Sequence, residues 1–275
     1  MTIASEITRI NNNIAAAYTA CNNKGATMPQ TQNSANLATA INSIPSGGGS
    51  FIGIPREVKN GVYQMPTENF TFSLPNNVTT VGNSGLSYAF YGCTSLTSVD
   101  LSSLTTMSGS YSIGYAFYNC TGLTSVDLSS LTTVSGSYSL NYAFRGCTSL
   151  KSIDLSSLTT VGNSSLSYAF YGCTGLTSVD LSSLTTVSGS NGLSYAFYGC
   201  TGLTDIYFRA LTTASFGSSY KNQFNRMMSS TGSTKTHTIH FPSNMESTIS
   251  MLTSYPLFGG TSGYVVLSYD LPETS

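Results

Sequence analysis

The stretch from Tyr88 to Leu104 reads YAFYGCTSLTSVDLSSL, and close copies of it recur four more times along the chain. Its core, Tyr-Ala-Phe-x-x-Cys-Thr-x-Leu, returns at spacings of 27, 27, 26 and 27 residues. A fixed period of this length indicates stacked coils, each of which buries its apolar side chains only against its neighbours. The repeated residues are Phe90, Phe117, Phe144, Phe170 and Phe197, followed by Cys93, Cys120, Cys147, Cys173 and Cys200.

A short strand is predicted after each cysteine, where the sequence reads L-x-x-V-x-L-x-x-L. Alternation at Val99 and Leu101 places one apolar face inward. We expect about seven rungs, each with a single helical or 3₁₀ turn opposite the strand. The apolar pair recurs as Val126/Leu128, Ile153/Leu155, Val179/Leu181 and Ile206/Phe208, with degenerate copies at Phe72/Leu74 and Ile239/Phe241.

This pattern resembles the BspA-like leucine-rich repeats, whose signature is an Ala-Phe-x-x-Cys-x-x-Leu segment leading into an Ile/Val-rich strand. The resemblance covers about residues 70–241. It implies a leucine-rich-repeat solenoid with one short parallel strand per 26–27-residue coil. The coils exceed the family's length by a Gly/Ser/Tyr insert, which predicts a bulged convex side.

Charged residues make up only 8 % of the 275-residue chain, and the net charge is −1. Ser and Thr supply 84 residues (47 and 37), so hydroxyls take the place of charges. Without a basic excess we expect no nucleic-acid partner. No apolar run approaches the ~20 residues of a membrane span, so we expect no membrane insertion. The N-terminus shows no secretory signal pattern, which predicts synthesis in a cytosol.

The first 45 residues differ from the repeats and predict a helical segment for attachment or oligomerisation. Apolar residues step by four and three along one helix face, which is the heptad pattern of a coiled coil. Isoleucine at both core positions favours a bundle of three or more helices. A short isolated helix is marginal, so we expect a homotrimer, although the stripe has the alternative of docking on its own solenoid. The stripe consists of Ile3, Ile7, Ile10, Ile14 and Ala17, continued by Cys21.

A second resemblance lies in the same segment. Lys24 to Pro29 read KGATMP, and a second short helix with Leu37, Ile41 and Ile44 on its apolar face follows. These motifs look like the N-terminal segment of tail and fibre proteins of phages and prophages of gut bacteria. That resemblance implies tail or baseplate partners and a place in the virion tail, with synthesis in the host cytoplasm and action outside the cell.

The remaining segments are short. Residues 46–50 are a Gly/Ser linker, and residues 51–69 predict a small β cap with a hairpin turn at Asn60-Gly61. Residues 242–275 predict the C-terminal cap that an open solenoid needs, with a final apolar strand near Tyr264 to Leu267.

Sequence motifs for catalysis and for metal binding are absent. The only histidines, His237 and His240, have no nucleophile motif beside them, and no close carboxylate pair or phosphate loop occurs. The cysteine spacing does not suit zinc, so we expect free core thiols and no cofactor. We therefore predict a protein without enzymatic activity.

A column of aspartates is the first candidate ligand site. Stacking should bring these like charges close together at the outward strand position, where Tyr207 replaces aspartate in the fifth rung. They form either a cation or ligand groove, or a row of carboxylates that accept hydrogen bonds from neighbouring Ser and Thr. The column is Asp100, Asp127, Asp154 and Asp180.

Tyrosines form the second candidate. Exposed aromatic rings with hydroxyl tips suit glycan or protein contacts because they combine flat apolar area with hydrogen bonding. The alternative is that many of these rings only cover the edge of the core. The candidates are Tyr91, Tyr118, Tyr171 and Tyr198, with Arg145 in the middle rung, and Tyr111 and Tyr138 from the inserts.

We therefore predict a receptor-binding protein, a phage or prophage tail-fibre component that recognises a host-cell surface protein or glycan. Trimerisation would add avidity without new contacts. The main alternative is a bacterial cell-surface adhesin of the BspA-like type. A weaker alternative is an ice- or surface-binding solenoid, because Thr-Thr pairs recur, as at Thr105-Thr106. Adjacent strand residues face opposite ways, however, which predicts that the pairs do not form one array.

Overall fold

The computed structural model describes residues 57–59, 62–64, 68–212, 226–228, 236–246 and 265–271. Only the backbone is described for 57–59, 62–64, 265, 270 and 271. The predicted helices of residues 1–45 and the linker 46–50 lie outside the described residues. The oligomerisation stripe therefore stays a prediction.

Fourteen strands are present in the described part of the chain. An antiparallel pair, β1 (Glu57–Lys59) and β2 (Val62–Gln64), comes first. The large parallel sheet contains, in spatial order, β3 (Phe70–Ser73), β4 (Leu96–Asp100), β6 (Ser125–Asp127), β8 (Ser152–Asp154), β10 (Ser178–Asp180), β12 (Asp205–Tyr207), β13 (His237–Pro242) and β14 (Val265–Leu271). The small parallel sheet contains β5 (Thr106–Met107), β7 (Thr133–Val134), β9 (Thr160–Val161) and β11 (Thr186–Val187). A 3₁₀ turn, Ser243–Met245, follows β13.

The large sheet confirms the predicted parallel solenoid. Equivalent residues of successive coils pair in register, as Val99 with Val126 and Val179 with Ile206. All seven predicted strands are present, and β14 pairs in parallel with β13 as an eighth. The segment predicted as a C-terminal cap thus contributes another strand. β1 pairs antiparallel with β2, and the predicted turn at Asn60-Gly61 lies outside the described residues.

The core is a column of stacked phenylalanines. Successive rings from Phe90 to Phe197 lie 5.2–5.5 Å apart with interplanar angles of 3–8°. All five rings are at most 1 % exposed. Leucines and valines of both sheets complete one continuous cluster, as a solenoid of identical coils requires.

The five described cysteines are free, buried thiols beside this column. The Cys120 thiol donates to the carbonyl of Phe90 in the preceding coil at 3.0 Å, and Cys147 donates to Phe117 at 3.1 Å. Burial raises the pKa of Cys120 to about 12. These thiols therefore act as small core residues that also satisfy a backbone carbonyl.

The prediction of a helical or 3₁₀ turn opposite the large sheet is wrong. The third side of each coil is a chain of overlapping β-turns, in which Ala89 N–H donates to Leu86 O at 3.0 Å. Alternate N–H groups instead reach the next coil, as Tyr88 N–H does to Gly114 O at 3.1 Å. We call this side the turn ribbon; its segments are residues 82–93, 109–120, 136–147, 162–173 and 189–200.

Left-handed residues recur every four positions along the turn ribbon and prevent a helix. The middle position is a tyrosine in all five coils, with φ of 55–58°. The third position is glycine except at Asn119, whose φ is 56°. Left-handed tyrosine costs roughly 1–2 kcal/mol, so contacts between coils must hold it there. The middle residues are Tyr88, Tyr115, Tyr142, Tyr168 and Tyr195.

Serine and threonine hydroxyls join the coils. The Ser139 hydroxyl, fully buried, donates to the carbonyls of Gly109 and Gly136, both at 2.7 Å. On the outside, the Thr124 hydroxyl donates to Thr97 O in the preceding coil at 2.9 Å. A short polar side chain at each of these positions satisfies a backbone acceptor without a charge, which accounts for the composition.

Candidate functional site

Tyrosines of the turn ribbon form a first stacked ladder, made of the five left-handed middle residues. Ring centroids lie 4.5–4.8 Å apart with interplanar angles of 6–12°. This tyrosine belongs to the repeat motif but was not among the predicted binding residues. Its recurrence in every copy, directly before the Ala-Phe pair, was the available signal.

The residues directly after the core phenylalanines form a second ladder, which contains the predicted binding residues. Tyr91 stacks on Tyr118 at 4.7 Å, and Tyr171 stacks on Tyr198 at 5.1 Å. Arg145 fills the gap between these pairs, with its guanidinium carbon 5.5 Å from the Tyr118 ring centroid and 4.6 Å from that of Tyr171. The structure therefore brings these five predicted residues into one column.

The two ladders lie side by side. Rings of the same coil approach to 5.7–6.1 Å between centroids. Arg145 also contacts the first ladder, 5.4 Å from the Tyr142 ring centroid. We call the nine tyrosines and Arg145 the tyrosine platform. The predicted pair Tyr111 and Tyr138 stacks separately at 5.0 Å, four residues before the first ladder in two coils.

The platform presents ring edges and hydroxyls along its length. In the three inner coils the neighbouring ladder residues cover both faces of each ring, so the expected flat apolar area is not available inside the ladders. Exposure is greatest in the first coil, where Tyr88 is 55 % and Tyr91 48 % exposed. The rings of the later coils are half-buried. They both cover the edge of the core and form the surface.

Burial raises the phenol pKa of the three inner tyrosines of the first ladder, with a contribution from neighbouring tyrosines. The pKa of Tyr115 and of Tyr142 is raised, and that of Tyr168 reaches about 12. The unperturbed value is about 10. The folded chain therefore keeps protons that the unfolded chain releases.

Alkaline pH is expected to destabilise the solenoid. The contribution of Tyr168 to stability should be constant below pH ~10 and be lost as pH rises toward ~12, because over that interval only the unfolded state loses this phenol proton. Melting temperatures across this range measure the effect. The variant Tyr168→Phe keeps a stacking ring that cannot ionise, and its melting temperature should fall less steeply. A melting temperature independent of pH in this interval would contradict the assignment.

The aspartate column lies elsewhere, on the outer side of the large sheet. Each Oδ1 accepts a hydrogen bond from the backbone N–H two residues later, at 2.9 Å for Ser102 to Asp100. The Ser102 hydroxyl also donates to it at 2.6 Å, and these bonds lower the pKa of Asp100. No group of three His, Cys, Asp or Glu residues that could hold a metal occurs among the described residues. Through the hydrogen bonds from the N–H two residues later, each carboxylate stabilises the turn after its strand.

The column ends in an aromatic and ionic cluster. Tyr207 stacks on His240 at 4.5 Å, and the Arg209 guanidinium carbon lies 5.5 Å from the Tyr207 ring centroid. His240 Nε2 lies 3.0 Å from Asp205 Oδ1, and this hydrogen bond lowers the pKa of Asp205. The buried His237 contacts the carbonyl of Leu203 through Nδ1.

Both threonines of the recurring pair lie on the surface, contrary to the expectation from strand alternation. Thr105 precedes the two-residue strand β5. The backbone N–H groups of Thr105 and Thr106 both donate to the carbonyl of Thr79. The strand is too short for alternation to apply to the pair. The first threonine hydroxyl donates to the preceding coil, as Thr132 does to Thr105 O at 3.1 Å.

Acidic and basic side chains are distributed unevenly between the large sheet and the turn ribbon. From residue 69 to 245, every carboxylate lies in a strand of the large sheet: Asp100, Asp127, Asp154, Asp180 and Asp205. The turn ribbon contains no carboxylate, and Arg145 is its one charged residue. At the last coil, the Arg226 guanidinium carbon lies 5.9 Å from the Tyr195 ring centroid. The platform therefore carries cations without carboxylates, whereas the large sheet carries the five carboxylates together with Lys151 and Arg209 at its strand ends.

The fold is that of a leucine-rich-repeat solenoid. The chain belongs to the BspA type leucine rich repeat family, whose sequence model matches residues 57–167 and 111–247 in six copies. This match covers more than half of the chain. Among the described residues, none forms a helix with the length and hydrophobicity of a membrane span.

Solved structures show further similarity. A leucine-rich repeat protein from Bacteroides ovatus ATCC 8483 is 29 % identical over 52 % of this chain and 38 % of its own, with a TM-score of 0.33. One from Eubacterium ventriosum ATCC 27560 is 25 % identical over 57 % of this chain and 40 % of its own, with the same TM-score. The alignments thus span well under half of these proteins. No curated protein matches the sequence.

Proposed function

We propose that this chain is a non-enzymatic protein that binds a receptor on a cell surface through the tyrosine platform. The observation that carries the proposal is the continuous row of tyrosine hydroxyls and ring edges across five coils. Tyrosine suits recognition because it supplies contact area at a low entropic cost and a polar tip. A rigid solenoid holds these side chains in place before binding, which reduces the ordering cost.

Two biological settings fit this activity. Membership in the BspA type family supports a bacterial surface adhesin. The tail-fibre alternative rests on the KGATMP motif and the helical stripe of the first 45 residues. In that setting the stripe forms a trimer, three heads bind with avidity, and tail or baseplate proteins anchor the N-terminus. Neighbouring genes for tail, baseplate or lysis proteins would favour the tail fibre over the adhesin.

A second candidate function is ice or mineral-surface binding. The observation in its favour is that the second threonine of each pair lies on the outside of the small sheet and the first, directly before the strand, is also at the surface. Regular parallel pairing repeats these hydroxyls at the spacing of strands, about 4.8 Å. A thermal hysteresis assay separates this candidate from receptor binding, because only the former predicts depression of ice growth.

Binding should depend on the platform residues that flank Arg145. We expect the double variant Tyr118→Ser and Tyr171→Ser to weaken binding to intact bacterial cells by roughly tenfold or more, since buried tyrosines at interfaces often contribute over 1 kcal/mol each. The change is measured as binding of the fluorescently labelled full chain to a panel of gut bacterial cells. A thermal melt must show that the variant is folded at the assay temperature.

The matched control is on the other face. Asp127→Asn and Asp154→Asn change two exposed residues of the large sheet and should leave cell binding unchanged. Loss of binding in this variant, with binding retained in the tyrosine variant, would place the site on the aspartate column and contradict the proposal.

A further inference from the structure

We infer that the tyrosine platform takes an acidic polysaccharide and that Arg145 binds its anionic group. The inference rests on the proposed function and specifies its ligand class. It comes from three features of the platform: the orientation of the rings, the setting of Arg145 and the separation of charge between faces.

Ring orientation favours electron-rich ligands. An aromatic ring is negative on its faces and positive at its edge. Stacking at 4.5–5.1 Å turns the faces toward one another within the ladders. What remains toward solvent is a row of positive edges and phenol hydroxyls, which attract carboxylate and hydroxyl oxygens more than apolar groups.

Arg145 provides one specific anion contact. Its guanidinium is held against the rings of Tyr118 and Tyr171, so its planar fork is fixed before a ligand arrives. No ion pair of Arg145 occurs in the part of the chain that the structure describes. An arginine with free donors in this setting binds a carboxylate with two parallel hydrogen bonds.

The distribution of charge also favours an anionic ligand on the tyrosine platform. The five carboxylates of residues 69–245 lie in the strands of the large sheet, where Lys151 and Arg209 offset only part of their charge. Arg145 and Arg226 contact the ladders, which have no carboxylate. A polyanion is thus attracted to the ribbon and repelled by the sheet. A saccharide fits better than an acidic peptide because phenol hydroxyls donate and accept hydrogen bonds, as sugar hydroxyls do, and repeat in every coil.

The test compares one polymer in two charge states. Isothermal titration calorimetry of the full chain with oligogalacturonate should show binding that salt weakens. Its methyl ester has the same sugars without the carboxylates and should bind at least about tenfold more weakly, because a hydrogen bond between charged groups is lost. Equal affinity for the ester, or no binding to either polymer, would overturn the inference.

Two variants use residues that the chain already has at equivalent positions. Arg145→Tyr restores the repeat's own tyrosine and should lower affinity for oligogalacturonate about tenfold without lowering the melting temperature. Lys151→Thr removes an exposed cation beside the sheet and should change nothing. Unchanged affinity in Arg145→Tyr, or an equal loss in Lys151→Thr, would overturn the assignment of Arg145.

Oligoglutamate of matched length distinguishes a saccharide from charge alone. Binding as tight as that of oligogalacturonate would contradict the saccharide class. If these polymers fail while cell binding still depends on Tyr118 and Tyr171, this inference falls and the proposed function stands. Loss of that tyrosine dependence would remove the proposed function itself.

Discussion

Replacing Phe144 by alanine is expected to lower the free energy of unfolding by about 3–5 kcal/mol. The ring lies in the middle of the phenylalanine column, 5.2 Å from Phe117 and 5.4 Å from Phe170, and is fully buried. Alanine would leave a cavity between rigid coils that cannot collapse, because each coil is held by hydrogen bonds on all three sides. Urea denaturation followed by circular dichroism measures the loss.

Phe144→Leu is the matched control. Leucine keeps most of the buried volume and loses the ring stack, so a cost below about 1.5 kcal/mol is expected. A solenoid is stabilised by neighbouring coils, so weakening the middle coil should also broaden or split the transition. If both variants were as stable as the unaltered chain, the phenylalanine column would not be what holds the coils together.

The second large effect is expected at Gly136. A Cβ there would lie 2.2 Å from Gly109 O and 2.6 Å from Ser108 O, both backbone atoms of the preceding coil. Neither can move without separating the coils. We expect Gly136→Ala to cost about 3 kcal/mol, at the upper end for overpacking, measured by the same denaturation.

A glycine in open space serves for comparison. Gly172 has φ of 72°, and a Cβ added there would meet no atom within 4 Å. Asn119 occupies the equivalent place with φ of 56°, so Gly172→Asn should cost under about 1 kcal/mol. Equal losses in the two variants would show that the close approach of the coils at Gly136 is not what makes its substitution costly.

Much of the fold could be predicted because the repeat is nearly exact. The 26–27-residue period placed the strands, and alternation at Val99 and Leu101 assigned the inward face correctly. Identical spacing also put the phenylalanines and cysteines into columns without any tertiary information. These features depend on local pattern and on stacking alone.

The candidate site was predicted only in part. The second ladder was selected because tyrosine recurs after the core phenylalanine, and Arg145 was identified as its exception. The first ladder was missed, because a tyrosine beside alanine gives no local sign of a left-handed backbone. Its conformation depends on the next coil, where the equivalent tyrosine stacks on its ring and the residue before that tyrosine accepts its N–H, as Tyr142 and Asn141 do for Tyr115.

The sequence by itself therefore determined the repeat, the parallel sheet, the buried columns and the low charge of this protein, since each follows from periodicity and residue type. Only the tertiary structure decided the path of the turn ribbon, the exposure of both threonines at Thr105-Thr106, and the separation of tyrosines and Arg145 from the aspartates. The physical reason is that these features are fixed by hydrogen bonds and ring contacts between coils. Neighbouring coils supply the partners that override the local preferences of each residue.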